Sequence, residues 1–196
     1  PTTMLAIHYL RVQLVRRPKP QDPDDPNGPA KLVPECDAQT EKLTQANAQC
    51  EEVSIDRMAI NADLQQLVQQ NYKTLQQVNH DLYSLLKGDL KSPLYLQLFP
   101  KPLSKSVTNS NSYLQVIRYT NSVKRNLEEH AADYAALQKY VPEIQNNVDE
   151  IAKLLNKREQ IIDQEQRVTS ARGIILQEAK KFYNKAYVRL LMAYDN

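Results

Sequence analysis

From Glu35 to Lys87 the chain contains neither Gly nor Pro, and apolar residues fall at Leu64, Leu67, Val68, Tyr72, Leu75, Val78, Leu82, Leu85 and Leu86. Steps of three and four place these on one side of a long helix. The periodicity is weaker before residue 60. Ser54 is placed to cap a second helix after a break near Val53, and Gly88 stands where a C-terminal cap belongs. A second helical half follows. Ser110 or Ser112 caps a helix carrying Tyr113, Leu114, Ile117, Val123, Leu127, Tyr134 and Leu137. Pro142 suits the first turn of a further helix, with Glu143 at its positive end, and Ile144, Val148, Ile151, Leu155 and Ile162 mark its apolar side. Residues 169–173 read either as a turn or as a weak point inside one helix. Beyond them Ile175, Ala179, Phe182, Ala186, Leu190 and Tyr194 restore the helical spacing. Leu75, Leu82, Leu127, Ile151 and Phe182 are the expected core positions.

The first 17 residues follow a different rhythm. Even positions Met4, Ala6, His8, Leu10, Val12 and Leu14 form an almost wholly apolar face. Odd positions begin apolar with Leu5, Ile7 and Tyr9 and turn polar at Arg11, Gln13 and Arg17. A period of two with β-branched residues predicts a strand. A helical reading also stands, with Leu5, Tyr9 and Val12 on one face. Residues 18–34 hold six of the 11 prolines, which predicts an extended, semi-stiff linker. Residues 88–110 contain Pro93, Pro100 and Pro102 and read as a long loop, uncommon unless it packs or functions. The expected fold is therefore mainly α: an elongated, coiled-coil-like bundle of long amphipathic helices over residues 35–196, with an N-terminal extended, β-strand-like arm at 1–17.

Composition narrows the function classes. Glycine numbers 3 in 196 residues, too few for the phosphate-cradling loops and nucleophile elbows on which many enzymes rely. A net charge of +2 gives the chain as a whole no strong attraction to nucleic acid or lipid. No apolar run approaches the ~20 residues of a membrane-spanning helix, and the first stretch lacks the continuous apolar core of a signal peptide. A cytoplasmic protein or a component of an assembled particle is expected.

Candidate chemistry is sparse. His8, His80 and His130 lie on separate segments without metal-ligand spacing, and no cofactor or metal site is expected. Cys36 and Cys50, on one helix, stand about 21 Å apart along its axis, too far to bond to each other. Glu51, Glu52, Asp56, Glu128, Glu129, Glu143, Asp149 and Glu150 read as solvated helix faces. Basic residues cluster at Arg11, Arg16 and Arg17 on the arm and at Lys180, Lys181, Lys185 and Arg189 on the last helix, where Tyr183 and Tyr187 lie among them. They suit an anion or an acidic partner. Gln65, Gln66, Gln69, Gln70, Asn71, Gln76, Gln77 and Asn79 give the first long helix an amide-rich face, which desolvates more cheaply than a charged one.

A strand needs a second strand for its backbone hydrogen bonds. An apolar strand on a proline-rich tether is suited to adding itself to another subunit. The expectation is a non-enzymatic structural subunit of a homo-oligomeric or filamentous assembly. Its assembly arm carries Met4, Leu5, Ile7, Tyr9, Leu10, Val12 and Leu14, and its partners are copies of itself or other assembly subunits. A nucleic-acid-coating protein and a helical membrane-active toxin are the rival expectations.

Overall fold

The structure, a computed structural model, describes residues 2–16, 32–100, 103 and 112–194. It is built from α1 (Thr2–Arg16), α2 (Leu32–Leu85), α3 (Pro93–Leu98), α4 (Tyr113–Glu129), a 3-10 turn (Ala135–Tyr140) and α5 (Val141–Tyr194). No strand occurs among the described residues.

The two longest helices follow the distribution of Gly and Pro. Pro34 lies in the first turn of α2, where backbone amides have no intrahelical acceptor and a missing N–H costs nothing. Helix thus begins at Leu32, inside the segment read as linker; the rest of that segment lies outside the described residues. Pro142 and Glu143 occupy the first turn of α5 in the same way. The expected break near Val53 is absent: Val53 is buried and α2 runs on through Ser54. Likewise α5 is continuous across residues 169–173. A Cβ added at Gly173 would meet nothing within 4 Å, so that glycine only weakens the helix locally.

The end of α2 corrects a detail of the capping. The Gly88 amide donates to the Tyr83 carbonyl (3.0 Å) and the Lys87 amide to the Ser84 carbonyl (3.2 Å), the paired bonds of a Schellman motif. The left-handed position at its centre is taken by Lys87 (φ 50°), with Gly88 following at φ 86°.

The N-terminal arm is not a strand. It folds as α1, with Ile7, Leu10 and Leu14 buried and Met4 packed beside them. These steps of three and four break up the alternating face, leaving His8 exposed. Leu5 (67% exposed) and Tyr9 (64%) point to solvent, so the helical face is not the Leu5–Tyr9–Val12 row either. A helix satisfies its own amides, whereas an arm strand has no described strand to pair with.

The chain divides into two compact units, one from residues 1–56 and 162–196, the other from residues 57–161. In the first, α1 and the start of α2 run antiparallel: Met4 lies beside Asn47, and Arg11 pairs with Asp37. The end of α5 completes a three-helix packing around Ile7, Leu10, Leu14, Leu32, Cys36 and Leu43. Ala179 and Ala186, both fully buried, stand seven residues apart on the inward side of α5, and their small side chains let the other helices approach closely.

In the second unit α2 and α5 are antiparallel, as the Asn61–Arg158 bond (2.8 Å) and the Thr74–Glu143 bond (2.8 Å) show. Helix α4 lies parallel to α2, with Asn71 bonded to Thr120 (2.8 Å). A parallel neighbour cannot be reached by a tight turn, which accounts for the long connection between them. Part of that connection is α3, whose Leu98 and the following Phe99 enter a core with Leu75, Val78, Leu82, Val123, Leu127 and Leu137. Tyrosine hydroxyls fasten the pieces together. Tyr95 donates to Asn79 Oδ1 (2.8 Å), Tyr134 to the Leu94 carbonyl (2.7 Å) and Tyr140 to Asp81 (2.8 Å). A buried polar layer crosses this unit, formed by Asn71, Thr74, Thr120 and Asn147, with the Asn147 amide donating to the Thr74 hydroxyl at 3.2 Å. Such a layer penalises shifted helix registers, in which its polar groups lose their partners.

Candidate functional site

The residues singled out in the sequence gather in the first unit. Of the arm residues, Ile7, Leu10 and Leu14 are buried, Met4 and Val12 are partly buried, and Leu5 and Tyr9 are exposed. Arg11 is tied to Asp37 by an ion pair; the neighbouring carboxylate holds its guanidinium even more firmly in the charged form. Arg17 lies outside the described residues, as does the side chain of Arg16.

Lys180, Lys181, Lys185 and Arg189 all remain exposed on α5. They share its outward surface with Tyr187 (48% exposed), Val188 (47%), Leu191 (45%) and Met192 (67%). Tyr183 and Tyr187 stack with ring centroids 6.2 Å apart. Between residues 174 and 192 only Glu178 is acidic. The result is a basic and apolar face whose cations are paired with no described carboxylate.

An opposite face lies on α2 of the same unit. Glu51, Glu52 and Asp56 are exposed there with Ile55, itself 54% exposed. The Arg172 Nε–H donates to Asn47 Oδ1 at 2.7 Å, which fixes the level at which the antiparallel α2 and α5 meet. From that level the acidic residues extend along the axis in one direction and Lys180 to Arg189 in the other. At 1.5 Å per residue the two faces are offset by roughly 20 Å, more than a Debye length at physiological salt. They cannot neutralise one another within one chain.

The Asn47–Arg172 pair also borders a cavity of 520 Å³. Met4, Leu43 and Leu176 form its apolar wall, and Asn47, Arg172 and Lys180 its polar part. Arg172, Leu176 and Lys180 succeed one another at four-residue steps, so they form one row on α5. Thr3, in the first turn of α1, closes the cavity.

Cys36 is fully buried and Cys50 partly so, both as free thiols. Burial, with the nearby carboxylates of Asp37 and Glu35 adding to it, pushes the Cys36 thiol up to about 11. It is therefore a neutral packing residue at ordinary pH. Among the described residues no group of three or more His, Cys, Asp or Glu side chains could hold a metal ion, and no helix is long and apolar enough to cross a membrane.

Sequence reasoning singled out the basic residues but missed Asn47 and Arg172, and it read Glu51, Glu52 and Asp56 as ordinary solvated positions. A local signal for Arg172 exists. Its neighbours three and four residues away are Val168, Thr169, Ile175 and Leu176, so no acid on its own helix can pair with it. The bond to Asn47, 125 residues away, has no such signature.

Comparison with protein-family models, curated proteins and solved structures finds no match for this chain.

Proposed function

We propose that this chain is a non-enzymatic structural subunit that self-associates through its first unit. The observation that supports this is the pair of complementary faces: Lys180, Lys181, Lys185 and Arg189 among Tyr187, Val188 and Leu191 on α5, and Glu51, Glu52 and Asp56 around Ile55 on α2. Because the two faces are displaced along the helix axis, a second copy can set its acidic face against the basic face of the first. In a two-fold arrangement both contacts form at once; a head-to-tail arrangement leaves one face of each type free and grows. Apolar side chains supply the attraction and the charges fix the register.

Light scattering on the full chain tests this. Replacing Lys181 and Lys185 by Glu should lower the solution mass. Adding Glu51→Lys and Glu52→Lys to that variant should restore it. A wild-type mass equal to one chain at concentrations of tens of micromolar, on the order of ordinary assembly affinities, overturns the proposal. So does a charge-reversed variant of unchanged mass. A second reading is favoured by the four cations having no acidic partner among the described residues: a nucleic-acid-coating role. It requires binding of single-stranded nucleic acid that weakens steeply with salt and is lost in the same Lys→Glu variant.

A further inference from the structure

The cavity of the first unit shares only Lys180 with the proposed self-contact face; its other lining residues belong to neither charged face. Arg172 is partly buried, and its Nε is held by Asn47 at 2.7 Å. No described carboxylate pairs with it or with Lys180, and no acid is among the described residues of the lining. A guanidinium fixed through Nε keeps its terminal nitrogens for a further acceptor, and its planar fork matches a carboxylate. An anion entering the cavity therefore meets a positioned cation with no described counter-charge beside it. The first turn of α1, which bears the positive end of that helix, adds the same sign of potential.

Charge alone would fit any anion. The rest of the lining narrows the class. Met4, Leu43 and Leu176 form an apolar surface beside the guanidinium, and the 520 Å³ volume is that of a small-molecule site rather than of an ion site. Leu176 lies between Arg172 and Lys180 on one row of α5, so an apolar body lying along the row covers it while its head group meets a cation. Lys180 is exposed and lines the cavity, and its flexible stem can adjust to a head group.

We propose that this cavity binds a small carboxylic acid with an apolar body, the carboxylate accepting hydrogen bonds from Arg172 and Lys180 and the body lying on Met4, Leu43 and Leu176. Asn47 is the positioning residue that holds the guanidinium in place.

Isothermal titration of the full chain with octanoate, 1-octanol and inorganic phosphate tests each part. Octanoate should bind saturably, both to the wild type and to the Lys181→Glu, Lys185→Glu variant, which separates this site from the self-contact. 1-Octanol, of the same length without the charge, and inorganic phosphate, without the apolar body, should each bind at least about tenfold more weakly. Arg172→Gln should reduce octanoate affinity by about tenfold or more, Lys180→Gln by less, and Asn47→Ala by an intermediate amount. Lys180 is exposed, so its variant keeps the fold even if loss of the Arg172–Asn47 bond loosens α2 from α5. The proposal is overturned by the absence of saturable octanoate binding, by equal binding of 1-octanol or of phosphate, or by unchanged affinity in both the Arg172 and Lys180 variants.

Discussion

The two units use the same two long helices in different ways. In the second unit the helices meet around large aliphatic side chains such as Leu75, Leu82 and Leu127, with a buried polar layer and three tyrosine hydroxyls bonded across elements. Each of those bonds is made in one register, which pins the helices of this unit against sliding. In the first unit the inward side of α5 is lined by Ala179 and Ala186, and the polar ties Arg11–Asp37 and Arg172–Asn47 lie nearer the surface. Both units leave large apolar side chains outside, Leu5, Tyr9, Leu191 and Met192 in the first and Met58, Leu85 and Leu114 in the second. In the first unit those on α5 lie among Lys180, Lys181, Lys185 and Arg189. A continuous helix can therefore pack large aliphatic side chains along one stretch and small ones along the next, depending on what its neighbours bring to it.

The sharpest way to break this contrast is in the cores. Leu127→Ala should cost about 2–5 kcal/mol by urea unfolding, because the fully buried side chain leaves a cavity. Protection from hydrogen exchange should fall chiefly in residues 57–161. Next in size is Ala186→Leu, where the position is fully buried and closely approached. Overpacking should cost about 1–3 kcal/mol, with protection lost in α1 and the end of α5. If both variants weaken both regions equally, the units do not behave as separate bodies.

Smaller effects follow pH. Asp81 accepts hydrogen bonds from Tyr140 and Lys139, which hold its carboxyl below the ordinary value of 3.8. The stability this gives the second unit is present above pH 4, to within about a unit, and is lost as pH falls through the lowered value. Cys36 behaves oppositely. Its buried thiol is raised from 9.0 to about 11, so the contribution of the neutral thiol is full below pH 9 and disappears as pH rises toward 11. Tyr134 and Tyr140, raised above 10.0 chiefly by burial, add an alkaline loss in the second unit at higher pH. Thermal melts should show acid weakening traced to Asp81, removed by Asp81→Asn. Thiol labelling at pH 8 should reach Cys50 well before Cys36; equal rates at the two would contradict the packing around α1.

The smallest changes probe the backbone. Gly173→Ala has open space for its Cβ within α5 and should stabilise the first unit by about 1 kcal/mol. Lys87→Gly relieves a left-handed residue and should stabilise the second unit by roughly 0.5–1 kcal/mol. Destabilisation by either would place strain elsewhere than the structure puts it.

Periodicity and the placement of Gly and Pro were enough to locate the two long helices and most of the side chains they bury. Leu75, Leu82, Leu127 and Ile151 were legible as core from spacing alone, and Pro142 with Glu143 marked the start of α5. These features repeat over many turns, so their small local preferences add up. Phe182 proved only partly buried. Short or balanced segments took their form from packing instead. Residues 2–16 carry period-two and helical patterns at once, and the choice fell to α1 because Ile7, Leu10 and Leu14 fit against α2 and α5. The weak points at Ser54 and Gly173 cost only about 1 kcal/mol or less, too little to interrupt helices whose burial continues on either side. Asn71 looked like one amide among many until Thr120 met it, and Arg172 looked like a surface cation until Asn47, 125 residues away, held it over a cavity. Contacts between residues so far apart in sequence exist only once the helices have packed, so no local pattern encodes them.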